Sequence, residues 1–142
     1  MTEIAMQNPR RYRSLETLRL RGWLDDILGE LAPAADSFGV RFVNDTEMQC
    51  MNRQYRGRDY PTDVLSFPGE ESGDGFHLGD VVIAVPTARR QATAAGTPER
   101  REIRTLLLHG VLHCLGYDHE TDEGEMERLE GRLRQRWLAD VD

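Results

Sequence analysis

Lysine is absent from this chain. All 18 basic residues are arginine, set against 25 Asp and Glu for a net charge of -7. A negative total argues against a general nucleic-acid coat protein. All-arginine usage reflects either genome composition or a need for planar forks that grip phosphates at two points. Cysteine is scarce too: Cys50 and Cys114 form neither a disulfide framework nor a CxxC pair, which predicts a reduced, cytoplasmic setting. No apolar run reaches the roughly 18 residues that span a bilayer, so no membrane partner is expected. The N-terminal residues lack a basic stretch followed by an apolar one, so no secretory signal is expected. The 142 residues suffice for one domain, residues 1–142, around one core.

Periodicity supplies the elements. Glu3 to Gln7 fits a short first strand. Leu15 to Leu31 carries apolar residues at helical spacing and stops before Pro33. Phe38 to Val43 alternates as a strand. Asp45 or Thr46 is placed to cap a second helix, which Gly57 ends. Val64 to Phe67 and the wholly apolar Val81 to Val85 read as further strands, separated by a polar loop over Gly69 to Gly75. Pro86 opens a short helix through Ala95. Thr97, Pro98 and Glu99 predict the start of a long helix that is apolar around most of its girth, with Thr97 as its cap and Gly116 as its stop. A last amphipathic helix carries Met126, Leu129, Leu133 and Trp137. Strands and helices mix without strict alternation, so the expected fold class is α+β: a small mixed sheet with helices packed on it.

Polar imidazoles do not belong in that long helix without a reason. Yet three of the four histidines, His109, His113 and His119, fall in one stretch, His109-Gly-Val-Leu-His-Cys-Leu-Gly-Tyr-Asp-His119. At roughly 100° per residue His109 and His113 share a face, about 6 Å apart along the axis. Gly116 lets the chain turn back and return His119 to the same point. Three imidazoles suit one Zn²⁺ per chain, in a zincin-like helical site. The plainer alternative is a pair of hydrogen-bonded core histidines and a loop histidine. Cys114 faces about 100° away from His113 and reads as core. Asp118 can serve as a fourth ligand, point outward, or orient an imidazole. Three ligands and an open position describe a catalytic centre. The spacing matches the H-E-x-x-H-x-x-G-x-x-H peptidase signature except that Gly110 stands where the peptidase has its Glu base. Metal-assisted hydrolysis of something other than a peptide follows, since a bound divalent metal lowers the pKa of water to about 7 without a carboxylate base.

A second stretch, Tyr55-Arg56-Gly-Arg-Asp-Tyr-Pro-Thr-Asp-Val-Leu-Ser-Phe-Pro68, places arginines beside an aromatic ring. That pairing suits phosphate and base contact, although a solvated loop has the same composition. Asp80, ahead of a buried strand, either supports a ligand imidazole or caps a turn. His77 reads as a surface loop residue. The acids between Asp118 and Glu130 are expected to face away from any RNA.

These segments, with Leu78-Gly-Asp80-Val-Val-Ile83, lie in order over roughly the last two-thirds of the chain. Together they resemble the YbeY family of bacterial endoribonucleases. The resemblance implies a zinc-dependent, single-strand-specific endoribonuclease of 16S rRNA 3′-end maturation and ribosome quality control. Its partners would be precursor 16S rRNA, the small ribosomal subunit and its assembly factors. It also implies His109, His113 and His119 as zinc ligands and Arg56 as a residue needed for activity. The N-terminal cluster Arg10-Arg11-Tyr-Arg13 matches no part of that pattern. Two other classes stay open on the residues alone: a zincin-like hydrolase of another substrate class, and a ribosome-assembly module with a structural zinc.

Overall fold

The computed structural model describes residues 2–8, 10–118, 120–139 and 141. Its sheet runs in the order β1 (Glu3–Gln7), β2 (Ser37–Val43), β5 (Gly75–Ala84), β3 (Val64–Pro68). The first three strands are parallel, and β3 joins β5 antiparallel as an edge. A two-residue strand, β4 (Glu71–Ser72), pairs with the start of β5, so part of the expected polar loop is a hairpin. This is the α+β fold with a small mixed sheet.

The helices are α1 (Thr17–Leu31), α2 (Asp45–Arg56), α3 (Val85–Ala95), α4 (Glu99–Cys114) and α5 (Glu125–Trp137). Expectation put the start of α1 at Leu15. A 3-10 turn over Arg10–Leu15 comes first, and Glu16 breaks away in the left-handed region at φ 48°. The cap of α2 is Asn44 rather than Asp45 or Thr46. Its side chain accepts from Glu47 N, and the Glu47 carboxylate accepts from Asn44 N, a reciprocal capping box. Gly57 closes α2 at φ 68°, as expected. Thr97 does not cap α4: Pro98 holds that position, with no side-chain cap bond, and Glu99 and Glu102 supply negative charge to the first turn.

One face of the sheet buries the main core. Phe38, Val40 and Phe42 of β2 and Leu78, Val81 and Ile83 of β5 pack there against Leu20, Leu24 and Leu28 of α1 and Ile103, Leu107 and Val111 of α4. A satellite cluster joins Leu108 and Leu112 of α4 to Met126 and Leu133 of α5. On the opposite face α2 covers only one end, where Met48 packs on Val43, Leu65, Val82 and Ala84.

Two glycines set the spacing. A Cβ on Gly110 would lie 2.7 and 2.8 Å from the Val81 methyls and 3.2 Å from Ser66 Oγ. Glycine therefore lets α4 lie against the sheet at the turn that carries His109. Gly79 sits in a bulge of β5 at φ 152°, where a Cβ would meet Cys114 Sγ and the Phe67 carbonyl, each at 2.6 Å. The extra residue puts Leu78 and Val81 on the core face, and His77 and Asp80 together on the other.

Candidate metal centre and cleft

The buried stripe of α4 fixes where its histidines point. Leu106 to Leu108 and Val111 to Leu112 anchor the helix in the core. His109 and His113, half-buried, turn toward the gap between α4, β3 and the end of α2. Their Nε2 atoms stand 3.0 Å apart. Ligand nitrogens on a tetrahedral zinc stand about 3.3 Å apart, so the pair fits a shared cation. His119, the third expected ligand, lies outside the described residues. Among the described residues no group of three His, Cys, Asp or Glu is placed to hold a metal.

Behind His109 stands Glu130 of α5, whose Oε1 accepts from His109 Nδ1 at 2.5 Å. The bond fixes the tautomer and turns the Nε2 lone pair into the cleft. Burial pushes the Glu130 carboxyl up. The bond from His109 and the charge of Arg134 outweigh this and hold it below the ordinary value. Sequence reasoning missed Glu130. The signal was present: it falls four residues after Met126 and three before Leu133, within the inward stripe of α5.

The cleft has a volume of about 240 Å³. Arg56, the last residue of α2, lines it with the two histidines, Asp63 and Ser66. Asp118 and Glu120 line it as well, which corrects the expectation that these acids face away. Asp118 Oδ1 accepts from Glu120 N at 3.0 Å and so stiffens the chain leaving α4. Burial and the neighbouring charge of Asp63 raise the pKa of Glu102, about two turns up the helix from His109.

Cys114 is turned away from the cleft. Its Sγ lies 4.0 Å from the Phe67 carbonyl beside Gly79. Burial and the charge of Asp80 push its thiol up to about 12, so it stays protonated. Asp80 supports neither His109 nor His113. Its carboxylate lies on the other face of the sheet, where its Oδ2 is 3.0 Å from His77 Nε2. His77 is a strand residue, not a loop one, and its Nδ1 is 2.7 Å from Ser37 Oγ.

The chain is similar to known proteins in both sequence and fold. A family model described as Endoribonuclease YbeY matches residues 5–138. The protein named Endoribonuclease YbeY from Halorhodospira halophila is 38% identical over 138 residues, 94% of this chain and 88% of that one. The one from Alkalilimnicola ehrlichii is 46% identical over 127 residues, 84% of this chain and 74% of that one. Among solved structures, the solution structure of TM1509 from Thermotoga maritima superposes with a TM-score of 0.59 at 25% identity, covering 99% of this chain and 94% of that one.

Proposed function

The chain belongs to the Endoribonuclease YbeY family, and from that premise we propose that its cleft cuts single-stranded RNA with the help of one zinc ion. His109, His113 and His119 would hold the ion, with precursor 16S rRNA as substrate and the small ribosomal subunit as the setting. One domain over residues 1–142 carries the activity, in the cytoplasm. The observation that supports this best is the facing Nε2 pair, backed by Glu130 and sharing its cleft with Arg56. When bound, the ion would supply positive charge and Lewis acidity beside the scissile phosphate.

The chain's own residues divide the remaining work. Arg56 places a guanidinium where charge develops on the phosphate, and its two-point fork orients the oxygens. Glu130 keeps His109 in one tautomer and one rotamer. Gly110 excludes the peptidase arrangement on steric grounds: the Val81 methyls occupy the space a Glu would need.

The deciding experiment incubates zinc-loaded and chelated protein with a single-stranded RNA and with a denatured polypeptide. RNA cleavage in the loaded sample alone is expected. Cleavage of the polypeptide, or of neither, would overturn the reading. Loss of the fold on chelation without RNA cleavage would instead identify a structural zinc.

A further inference from the structure

The sheet face opposite the cleft carries a second cavity, of about 320 Å³. Helix α2 stops at Arg56 and leaves uncovered one row of paired residues that crosses four strands: Ala5, Gly39, Asp80 and Phe67. Small residues form the floor. Met51, Tyr55 and Phe67 form an apolar wall, while Arg41 and Asp80 supply charge of both signs. The volume lies at the lower end of the range for small-molecule sites, about 300–1,000 Å³.

The polar part of this cavity is built in. A Cβ on Gly39 would fall 2.1 Å from Asp80 Oδ1, so glycine is what allows the carboxylate to lie along the sheet. His77 holds Asp80 Oδ2, and Ser37 holds His77. A carboxylate has about four lone-pair sites, and His77 takes one. The aromatic part is equally specific. Tyr55 is 59% exposed, and its ring meets Phe67 edge to face at 5.2 Å and 74°.

Position relative to the cleft suggests the occupant. Tyr55 and Arg56 are consecutive, and so are Ser66 and Phe67. In each pair one residue lines this cavity and the other lines the histidine cleft. A single edge strand, β3, separates the two. One extended polymer can therefore pass both. An exposed ring stacks any nucleobase, and a carboxylate accepts from an exocyclic amino group. Charges of both signs on the rim argue against a purely apolar guest.

We propose that this cavity binds one base of the RNA strand whose backbone crosses the cleft, and that Asp80 favours a base bearing an amino group over uracil. The inference rests on the cleft being an RNA-cutting site. The test is single-turnover cleavage of short single-stranded RNAs, varied one base at a time around the observed cut, with zinc-loaded wild type, Tyr55→Ala and Asp80→Asn. Tyr55→Ala should raise the half-saturating enzyme concentration about 10-fold while the plateau rate holds. Asp80→Asn should erase discrimination against uracil at one flanking position. A 2-aminopurine at that position should be quenched on binding to wild type and less so on binding to Tyr55→Ala. Wild-type cleavage with both variants matching it in saturation, base preference and quenching would overturn the proposal while leaving the endonuclease reading intact. Failure of wild type to cut any RNA would overturn that reading, and the base subsite with it.

Discussion

His109 of α4 donates its Nδ1 proton to Glu130 of α5 across 2.5 Å, a polar link between a cleft-lining imidazole and the last helix. Glu130→Gln keeps the shape and removes the charge. It should weaken zinc binding about 10- to 100-fold. Competition with a chromophoric chelator measures this directly, and unchanged affinity would reduce Glu130 to a packing residue.

Arg56 lines the cleft with the histidines, whereas Arg58 reaches the Tyr60 hydroxyl at 3.3 Å. Arg56→Lys keeps charge and loses the fork, so the saturating cleavage rate should drop on the order of 100-fold. Arg58→Lys should leave it within a few-fold. Zinc content and melting temperature should match wild type in both. Equal rates for all three proteins would remove Arg56 from the chemistry.

Gly110→Ala forces a methyl into the Val81 side chain. Overpacking of this kind costs typically about 1–3 kcal/mol, read from urea denaturation. The accompanying outward shift of α4 should widen the cleft and lower cleavage further than stability alone explains. A variant as stable and active as wild type would show that the helix approach is not tight.

Asp45 joins α2 to α3: its carboxylate accepts from Thr87 Oγ1 and from Arg90, each at 2.7 Å. Burial pushes its pKa up, but the bonds from Thr87 and Arg90 and the charge of Arg90 bring it below the ordinary 3.8. Its contribution is therefore complete above pH 3.8 and is lost as pH falls through the lower folded value. Against Asp45→Asn, wild type should be more stable by at most about 1 kcal/mol near neutrality. The gap should close in strong acid. A gap that persists there would assign the effect to shape rather than charge.

Much of this was legible because local signals agree with the fold. The β1 limits, the Gly57 stop and the buried girth of α4 follow from alternation, glycine chemistry and apolar spacing. What failed were features decided at a distance. Asn44 outcompetes Asp45 as cap because Glu47 completes a reciprocal pair, and Asp45 is then released to bind α3. Glu130 looks like one more acid in an acidic run until α5 docks beside α4. His77 and Asp80 meet only because a bulge intervenes, and alternation alone cannot reveal a bulge. The histidine spacing gave His109 and His113 a common face, and the structure brings them together.

That bulge gives β5 a reading frame. Upstream of Gly79 the odd position His77 shares the face of Asp80; downstream the even positions Asp80, Val82 and Ala84 hold that face. Removing one residue there would put the two halves back in step. Either Asp80 would swing into the core or Leu78 would swing out of it. Single-residue length changes should thus be lethal to the sheet at Gly79, yet harmless a few positions earlier, in the hairpin turn between Ser72 and Gly75, where nothing downstream depends on the count.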